Sequence, residues 1–141
     1  MSSHTVYLRP RYAETDQMGV IYHANYLIWM EIGRTELCKA RGFNYKGMEE
    51  DGVFLAVVEA NCRYLFPARY DDHIAVLTSM AEANRRMVRF DYEIRNADTG
   101  KLLSNGFTRH IFCNPQMQPA SLPEHYYALF GVTNRRLRQT V

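Results

Sequence analysis

Apolar and polar positions follow one another along the chain in an order that predicts one strand, one long helix and four further strands. Thr5 to Tyr12 alternates loosely and is typical of a strand, and Pro10 indicates a sheet edge because proline has no N–H to donate to a ladder. Asn25 to Arg41 contains good helix formers. The β-rich segments that follow are Val53 to Phe66, His73 to Ala83, Met87 to Asn96 and Leu102 to Cys113.

The predicted long helix changes character along its length. Its first half is apolar almost all round and contains Tyr26, Leu27, Ile28, Trp29, Met30 and Ile32. A helix without a polar face must be covered by other structure. Its second half, from Arg34 to Arg41, is amphipathic, and Gly42 is a candidate C-terminal cap. We therefore expect the helix to run from under cover toward solvent.

Short links between the later strands predict an antiparallel sheet. Asn84 to Arg86 and Ala97 to Lys101 are short enough for hairpins, so the last three strands should form a meander. A loop rich in Gly, Asp and Glu follows the long helix, and Pro123 to Phe130 predicts a short final helix before a basic tail from Asn134 to Val141. These elements predict an α+β hot-dog fold, in which a curved antiparallel sheet wraps a long helix. Because such a sheet keeps an open edge, we expect a homodimer or homotetramer.

Composition restricts the class of protein. With 141 residues, 47% of them hydrophobic, the chain has the size and apolar content of one domain spanning residues 1–141. Its net charge of +2 does not indicate a nucleic-acid-binding protein. Three widely spaced cysteines argue against a disulfide framework and against a zinc site of the CxxC kind, and no leader-like start or membrane-spanning apolar run occurs. We expect a cytoplasmic protein without a membrane span, metal or cofactor.

The segment best suited to chemistry is the polar loop that leads into the long helix. The chain contains no GxSxG, HExxH, Walker or GxGxxG motif. Residues 12–26, YAETDQMGVIYHANY, instead bring acids and a glycine directly to the start of an apolar helix. A helix N-terminus offers unpaired backbone N–H groups and about half a positive charge, which polarise a carbonyl placed there. An acid beside that carbonyl could then act on it.

This segment resembles the motif of the hot-dog thioesterases of the 4-hydroxybenzoyl-CoA thioesterase and YbgC-like group. The matching positions are Asp16, Gly19, Tyr22, His23 and Asn25 in the loop, and Glu31, Arg34 and Pro67 to Asp72 further on. The resemblance covers nearly the whole chain. It implies an enzyme that hydrolyses an acyl-CoA thioester to a free acid and coenzyme A, with coenzyme A as part of the substrate. Acyl carrier protein is a second candidate carrier of the acyl group.

The resemblance also implies roles for the loop residues. Asp16 would attack the thioester carbonyl or activate water, and the backbone N–H of His23 would donate to the oxyanion. The His23 side chain either orients the substrate or water or packs at the helix start, and Tyr22 forms the wall of the site. Gly19 and Asn25 are candidate substrate-binding positions, and Asn25 is also a candidate N-cap of the helix.

Three further charged residues each have two interpretations. Glu31 either pairs with Arg34 one turn later or is a second pocket carboxylate, and thus the fallback catalytic acid. Arg85 and Arg86 suit the phosphates of coenzyme A, and the resemblance supports this because related thioesterases carry basic residues in this turn. An ordinary solvated hairpin explains the same pair. The basic tail is a weaker candidate for the same contact.

Two other functions stay open at this point. A hot-dog hydratase or dehydratase would need an acid and a histidine acting on the α and β carbons of the acyl chain. Asp16 and His23 are seven positions apart with no proline between them, unlike the hydratase motif. A non-catalytic module that binds acyl groups or acyl carrier protein would use Asp16 only as a turn residue. The nature of the acyl group, whether aryl, short or long aliphatic, stays open as well.

Overall fold

The computed structural model describes residues 3–132 and contains a five-stranded antiparallel sheet in the order β1-β3-β4-β5-β2. The strands are β1 Ser3–Leu8, β2 Phe54–Tyr64, β3 Ile74–Ala83, β4 Met87–Asn96 and β5 Leu102–Cys113. The helices are α1 Asn25–Ala40, α2 Tyr45–Glu50 and α3 Tyr127–Phe130, with short 3-10 helices at Tyr12–Glu14 and Glu124–Tyr126. The predicted order of strand, long helix and four strands is confirmed, as is the antiparallel meander.

Three local predictions differ from the structure. β1 ends at Leu8, before Pro10, and the chain then turns through the 3-10 helix that precedes the polar loop. The expected loop after α1 contains α2, which begins where the Asn44 side chain accepts a hydrogen bond from the Gly47 N–H at 2.7 Å. The final helix is shorter than predicted, because Pro123 is followed by a 3-10 turn before α3. The predicted basic tail, Asn134 to Val141, lies outside the described residues.

α1 packs against β1, β3 and β4 through one buried face. That face contains Tyr26, Trp29, Met30, Gly33 and Leu37. Gly33 has a steric reason for being glycine, since a Cβ there would overlap the Thr78 hydroxyl on β3. The close approach of helix and sheet therefore depends on the missing side chain.

The opposite face of α1 is not covered by the chain itself. Leu27, Ile28 and Ile32 are 40%, 51% and 39% exposed, and we call this set the uncovered face. Complete cover of the first half of the helix was predicted, and one chain provides it on one side only. The sheet also ends in an open edge at β2, where Val57 and Val58 are each 52% exposed. Within residues 3–132, none of the helices has the length and apolar character needed to cross a membrane.

Candidate active site

Asp16 lies in a tight turn that holds one of its carboxylate oxygens in place. Oδ1 accepts hydrogen bonds from the backbone N–H groups of Met18 at 2.9 Å and Val20 at 3.3 Å. The Asp16 N–H in turn donates to the Val20 carbonyl at 2.8 Å, and Gly19 has a φ of +81°, which glycine adopts without strain. Among the described residues, none donates a hydrogen bond to Oδ2. One carboxylate oxygen is thus anchored, and the other accepts no hydrogen bond from the described residues.

Glu14 ties this loop to α1, and it is a site residue that the sequence did not single out. Its side chain is buried, with 7% exposure. Oε1 accepts from the Arg11 N–H at 2.7 Å, and Oε2 accepts from Trp29 Nε1 at 3.3 Å. The Glu14 carbonyl also accepts from the Tyr22 N–H at 2.8 Å. A buried carboxylate with these donors holds the loop in one position relative to the helix.

Asn25 has a different role from the predicted N-cap. Ala24 is the N-cap residue, and Asn25 is the first residue of α1. The Asn25 Nδ2 group donates to the Glu14 carbonyl at 3.1 Å and to the Tyr22 carbonyl at 3.2 Å. The amide therefore reaches back to the loop instead of accepting from the first turn of the helix, and it adds a second tie between loop and helix.

A pocket of about 270 Å³ opens beside Asp16 at the start of α1. Its lining residues are Asp16, Met18, Val20, Ile21, His23, Tyr26, Tyr64, Leu65, Phe66 and Pro67. The structure thus brings Asp16 and His23 to one pocket, while Tyr22 packs against the His23 ring without lining it. The residues at the end of β2 were missed at the sequence level. Only the Pro67 to Asp72 similarity pointed to this part of the chain.

The peptide groups just before α1 leave two N–H donors free, and one of them belongs to His23, which lines this pocket. Among the described residues, neither the His23 N–H nor the Ala24 N–H has a hydrogen-bond acceptor. The Tyr64 hydroxyl donates to the His23 carbonyl at 3.0 Å and so orients that peptide. Partial desolvation raises the pKa of Tyr64 above its usual range, and the hydroxyl is protonated at neutral pH with or without this shift. A free N–H pair at a helix N-terminus suits a developing oxyanion.

Glu31 lies outside this pocket. It is exposed on α1 and lines a second pocket with His110. The predicted ion pair between Glu31 and Arg34 is not formed among the described residues, since Arg34 Nη1 donates instead to the Tyr92 hydroxyl at 3.5 Å. Asp16 is therefore the acid that lines the pocket at the start of α1, and Glu31 occupies a separate environment further along the helix.

Arg85 and Arg86 form the predicted hairpin, at the other end of the sheet from Asp16. Asn84 Oδ1 accepts from the Arg86 N–H at 2.8 Å, and the Arg86 side chain is exposed. The Asp16 loop follows β1, whose last residue pairs with the first residue of β3. The hairpin follows the last residue of β3. At about 3.3 Å per residue, the length of β3 separates the two sites by about 30 Å. One chain does not bring these arginines to the Asp16 pocket.

Comparison with known proteins relates this chain to thioesterases. A family model described as thioesterase-like superfamily matches residues 10–130. The Bacillus subtilis (strain 168) protein named "Putative acyl-CoA thioesterase YneP" is 46% identical over 72% of this chain and 72% of its own length. The acyl-CoA thioester hydrolase YbgC of Escherichia coli O157:H7 is 30% identical over 87% of this chain and 92% of its own.

A solved structure shows the same architecture over almost the full length. It is a DHNA-CoA thioesterase from Staphylococcus aureus, which superimposes with a TM-score of 0.88 at 29% identity. The match covers 99% of this chain and 93% of that one. The predicted hot-dog fold and the predicted resemblance are both confirmed.

Proposed function

This chain belongs to the thioesterase-like superfamily, and we propose that it hydrolyses acyl-CoA thioesters to a free acid and coenzyme A with Asp16 as the catalytic carboxylate. One observation carries the assignment of Asp16. Its Oδ1 is held by two backbone N–H groups, and Asp16 lines the same pocket as His23, whose backbone N–H has no hydrogen-bond acceptor among the described residues. An acid and oxyanion donors beside one cavity are the parts that acyl transfer needs.

In the proposed reaction, the thioester oxygen lies against the free N–H groups of His23 and Ala24. These donors and the helix dipole stabilise the negative charge that develops on that oxygen. Asp16 Oδ2 either attacks the carbonyl carbon or accepts the proton of an attacking water. The carbon–sulfur bond then breaks and coenzyme A leaves as its thiolate, which takes up a proton. In the first route, water afterwards hydrolyses the mixed anhydride and frees Asp16.

Release of free thiol from a panel of acyl-CoA substrates tests this proposal. Asp16→Asn should keep the fold and substrate binding but lose about 100-fold or more in kcat, because an amide can neither attack nor accept a proton. Asp98→Asn is the matched control. Asp98 is an exposed acid outside the Asp16 pocket, and its carboxylate lies beside His73 on the surface. Near wild-type turnover by Asp16→Asn contradicts the assignment, and a loss confined to Glu31→Gln moves the role to Glu31.

We further propose that the protein is a homodimer formed through the uncovered face of α1 and the open edge at β2. Apolar side chains exposed on both elements support this, since a contiguous apolar surface and an unpaired edge strand both favour association. Ile28→Lys should shift the protein toward monomer in sedimentation experiments. Tyr7→Lys is the control, because Tyr7 is 62% exposed, against 51% for Ile28, and lies on β1, the other edge strand of the sheet. A stable and active wild-type monomer at micromolar concentration contradicts the proposal.

The proposal also includes the cellular location of the protein and the carrier of the acyl group. We propose a cytoplasmic protein, which the three unpaired cysteines Cys38, Cys62 and Cys113 support because thiols persist in a reducing compartment. Acyl carrier protein is proposed as an alternative carrier of the acyl group. Turnover of the same acyl group on coenzyme A and on acyl carrier protein compares the two carriers directly.

A further inference from the structure

Lys101 carries a positive charge beside the Asp16 pocket, and the proposed mechanism gives it no role. Its Nζ lies over the ring of Phe66, 3.6 Å from the ring centroid. Phe66 is one of the residues that line the pocket, and both side chains are exposed. The ammonium group is therefore one side chain away from the cavity that Asp16 lines.

Strand register places Lys101 at the same end of the sheet as the Asp16 loop. Leu8, the last residue of β1, pairs with Ile74, the first residue of β3. Ile74 also pairs with Asn96, the last residue of β4, and the hairpin that contains Lys101 follows β4. The Asp16 loop and this hairpin therefore leave the sheet at one end, opposite to the arginine hairpin between β3 and β4.

Backbone hydrogen bonds hold both partners of the contact. The Lys101 N–H donates to Thr99 Oγ1 at 3.2 Å within the hairpin. The Phe66 N–H donates to the Leu103 carbonyl at 3.1 Å, which keeps Phe66 beside the start of β5. The ammonium and the ring are thus brought together by the positions of their own backbones.

The charge of Lys101 is not neutralised by the chain itself. Within residues 3–132, its ammonium forms no ion pair and donates no hydrogen bond. A cation–π contact holds an ammonium in place without cancelling its charge, because the ring has no net charge. Lys101 also lies outside both surfaces that we assign to the second copy, the uncovered face of α1 and the edge at β2. It therefore presents a positioned cation with three N–H donors.

We propose that Lys101 binds an anionic group of the thioester that occupies the Asp16 pocket of the same chain, and this rests on the proposed thioesterase function. Asp16 is the acid in the pocket lining, and neither a lysine nor an arginine lines the pocket. A substrate that carries an anion is therefore repelled by Asp16 unless a nearby cation offsets the repulsion. Lys101 supplies that cation through N–H donors to a phosphate or carboxylate oxygen.

Two parts of the substrate are sources of such an oxygen. Coenzyme A carries phosphates beyond its pantetheine arm, and Lys101 would bind them where the carrier leaves the pocket. An acyl group derived from a dicarboxylic acid carries a carboxylate at its far end, and Lys101 would bind it where the acyl group ends. The contact has the same chemistry in both cases, an ammonium that donates to an oxyanion.

The carrier arm of the test compares butanoyl-CoA with butanoyl-N-acetylcysteamine, which has the same thioester and no phosphate. Lys101→Met keeps a long side chain on the Phe66 ring and removes the charge. If Lys101 binds a phosphate, this variant should lower the ratio of kcat/KM for the two substrates by about 3- to 10-fold, mainly through KM, as expected for one partly screened charge contact. Lys101→Arg should restore the ratio. Lys46→Met, at an exposed cation on α2, is the matched control.

The acyl arm compares glutaryl-CoA with pentanoyl-CoA, which have the same number of acyl carbons and differ by one terminal carboxylate. A fall of about 3- to 10-fold in the ratio of their kcat/KM values in Lys101→Met assigns the contact to the acyl end. A fall in the carrier arm alone assigns it to coenzyme A. Either effect should shrink as salt is added, because the charges are exposed to solvent.

A binding measurement makes the test independent of turnover. The Kd values of the same four thioesters are measured by calorimetry on Asp16→Asn, with and without Lys101→Met. Ratios that do not change in either arm, by kinetics or by binding, overturn the role of Lys101 and leave the hydrolase assignment intact. A Lys101-dependent Kd without thiol release by the wild type contradicts the proposed hydrolysis alone. Adding Phe66→Leu should reduce the effect of Lys101→Met, and a full effect without the ring contradicts its part in positioning the ammonium.

Discussion

Trp29 Nε1 donates a hydrogen bond to Glu14 Oε2 at 3.3 Å, and this contact joins the Asp16 loop to the buried face of α1. The two residues are 15 positions apart in the chain. Glu14 is the hub of the loop, because its side chain and its carbonyl together accept hydrogen bonds from Arg11, Trp29, Tyr22 and Asn25. The position of Asp16 relative to the helix N-terminus therefore depends on a carboxylate two residues before it.

Glu14→Gln should lower kcat more than it raises KM. The amide keeps one acceptor oxygen but loses the other, so either the part-buried Arg11 N–H or the buried Trp29 Nε1–H is left without a partner, which lowers the free energy of unfolding by about 1–3 kcal/mol. Asp16 is then less well oriented for the reaction. Steady-state kinetics and thermal unfolding measure both effects. Glu50→Gln, at an exposed acid on α2, is the control, and a variant that loses stability with unchanged kcat contradicts a positioning role.

Tyr64→Phe tests how the helix start is oriented. The substitution removes the hydrogen bond from the Tyr64 hydroxyl to the His23 carbonyl and leaves the ring contact with Tyr26 in place. We expect kcat to fall about 3- to 10-fold, because one hydrogen bond of about 1 kcal/mol no longer holds the peptide between His23 and Ala24, whose N–H is one of the two proposed oxyanion donors. Tyr70→Phe, at an exposed tyrosine, is the control. Equal kcat for the two variants would rule out this role of Tyr64.

The free energy of unfolding should decrease as the pH is lowered, because of His110. Burial lowers the folded-state pKa of His110 to about 4 from its ordinary 6.5, so the unfolded chain binds the proton first as the pH falls. The contribution of the neutral ring is fully present above pH 6.5 and is lost as the pH falls toward 4, by roughly 3 kcal/mol in total. Urea unfolding at several pH values measures this loss. The difference in unfolding free energy between wild type and His110→Gln should shrink as the pH is lowered through the same window. Parallel pH profiles of the two proteins would exclude His110 as the cause.

Mixing two variant subunits tests whether Arg85 and Arg86 contact the substrate bound at the Asp16 pocket of the other copy. If the hairpin contacts coenzyme A in the proposed dimer, it must serve the Asp16 pocket of the other copy, since about 30 Å separates the two within one chain. Arg85→Ala with Arg86→Ala should raise the KM for acyl-CoA much more than it lowers kcat. Mixed dimers of this variant with Asp16→Asn should then recover one site with normal KM, because the intact Asp16 receives the intact hairpin.

Two results would speak against this arrangement. An unchanged KM in the double alanine variant at low salt, where exposed charges are least screened, would identify Arg85 and Arg86 as an ordinary solvated hairpin. A raised KM without recovery in the mixed dimers would place the hairpin and Asp16 contacts in the same chain. Lys46→Ala, at an exposed cation on α2, controls for a general loss of positive charge.

The sequence determined those features that depend on residues close together in the chain. β4 and β5 have the predicted bounds because alternating patterns of this length, joined by short polar links, have few other ways to bury one face. α1 and the Asp16 turn were also evident. A helix start and a turn with glycine at positive φ are set by consecutive residues, so the motif of residues 16–25 contains its own local structure.

The tertiary structure decided which side chains share a pocket. Tyr64 joins His23 across 41 positions, and Glu14 becomes buried only when α1 brings Trp29 over it. Nothing local distinguishes Glu14 from the other acids of the loop, because burial is a property of packing. The separation of Arg85 and Arg86 from Asp16 follows from strand direction and register. The burial of His110 on β5 is likewise a result of packing, since an alternating strand pattern does not show which polar side chains the fold will bury.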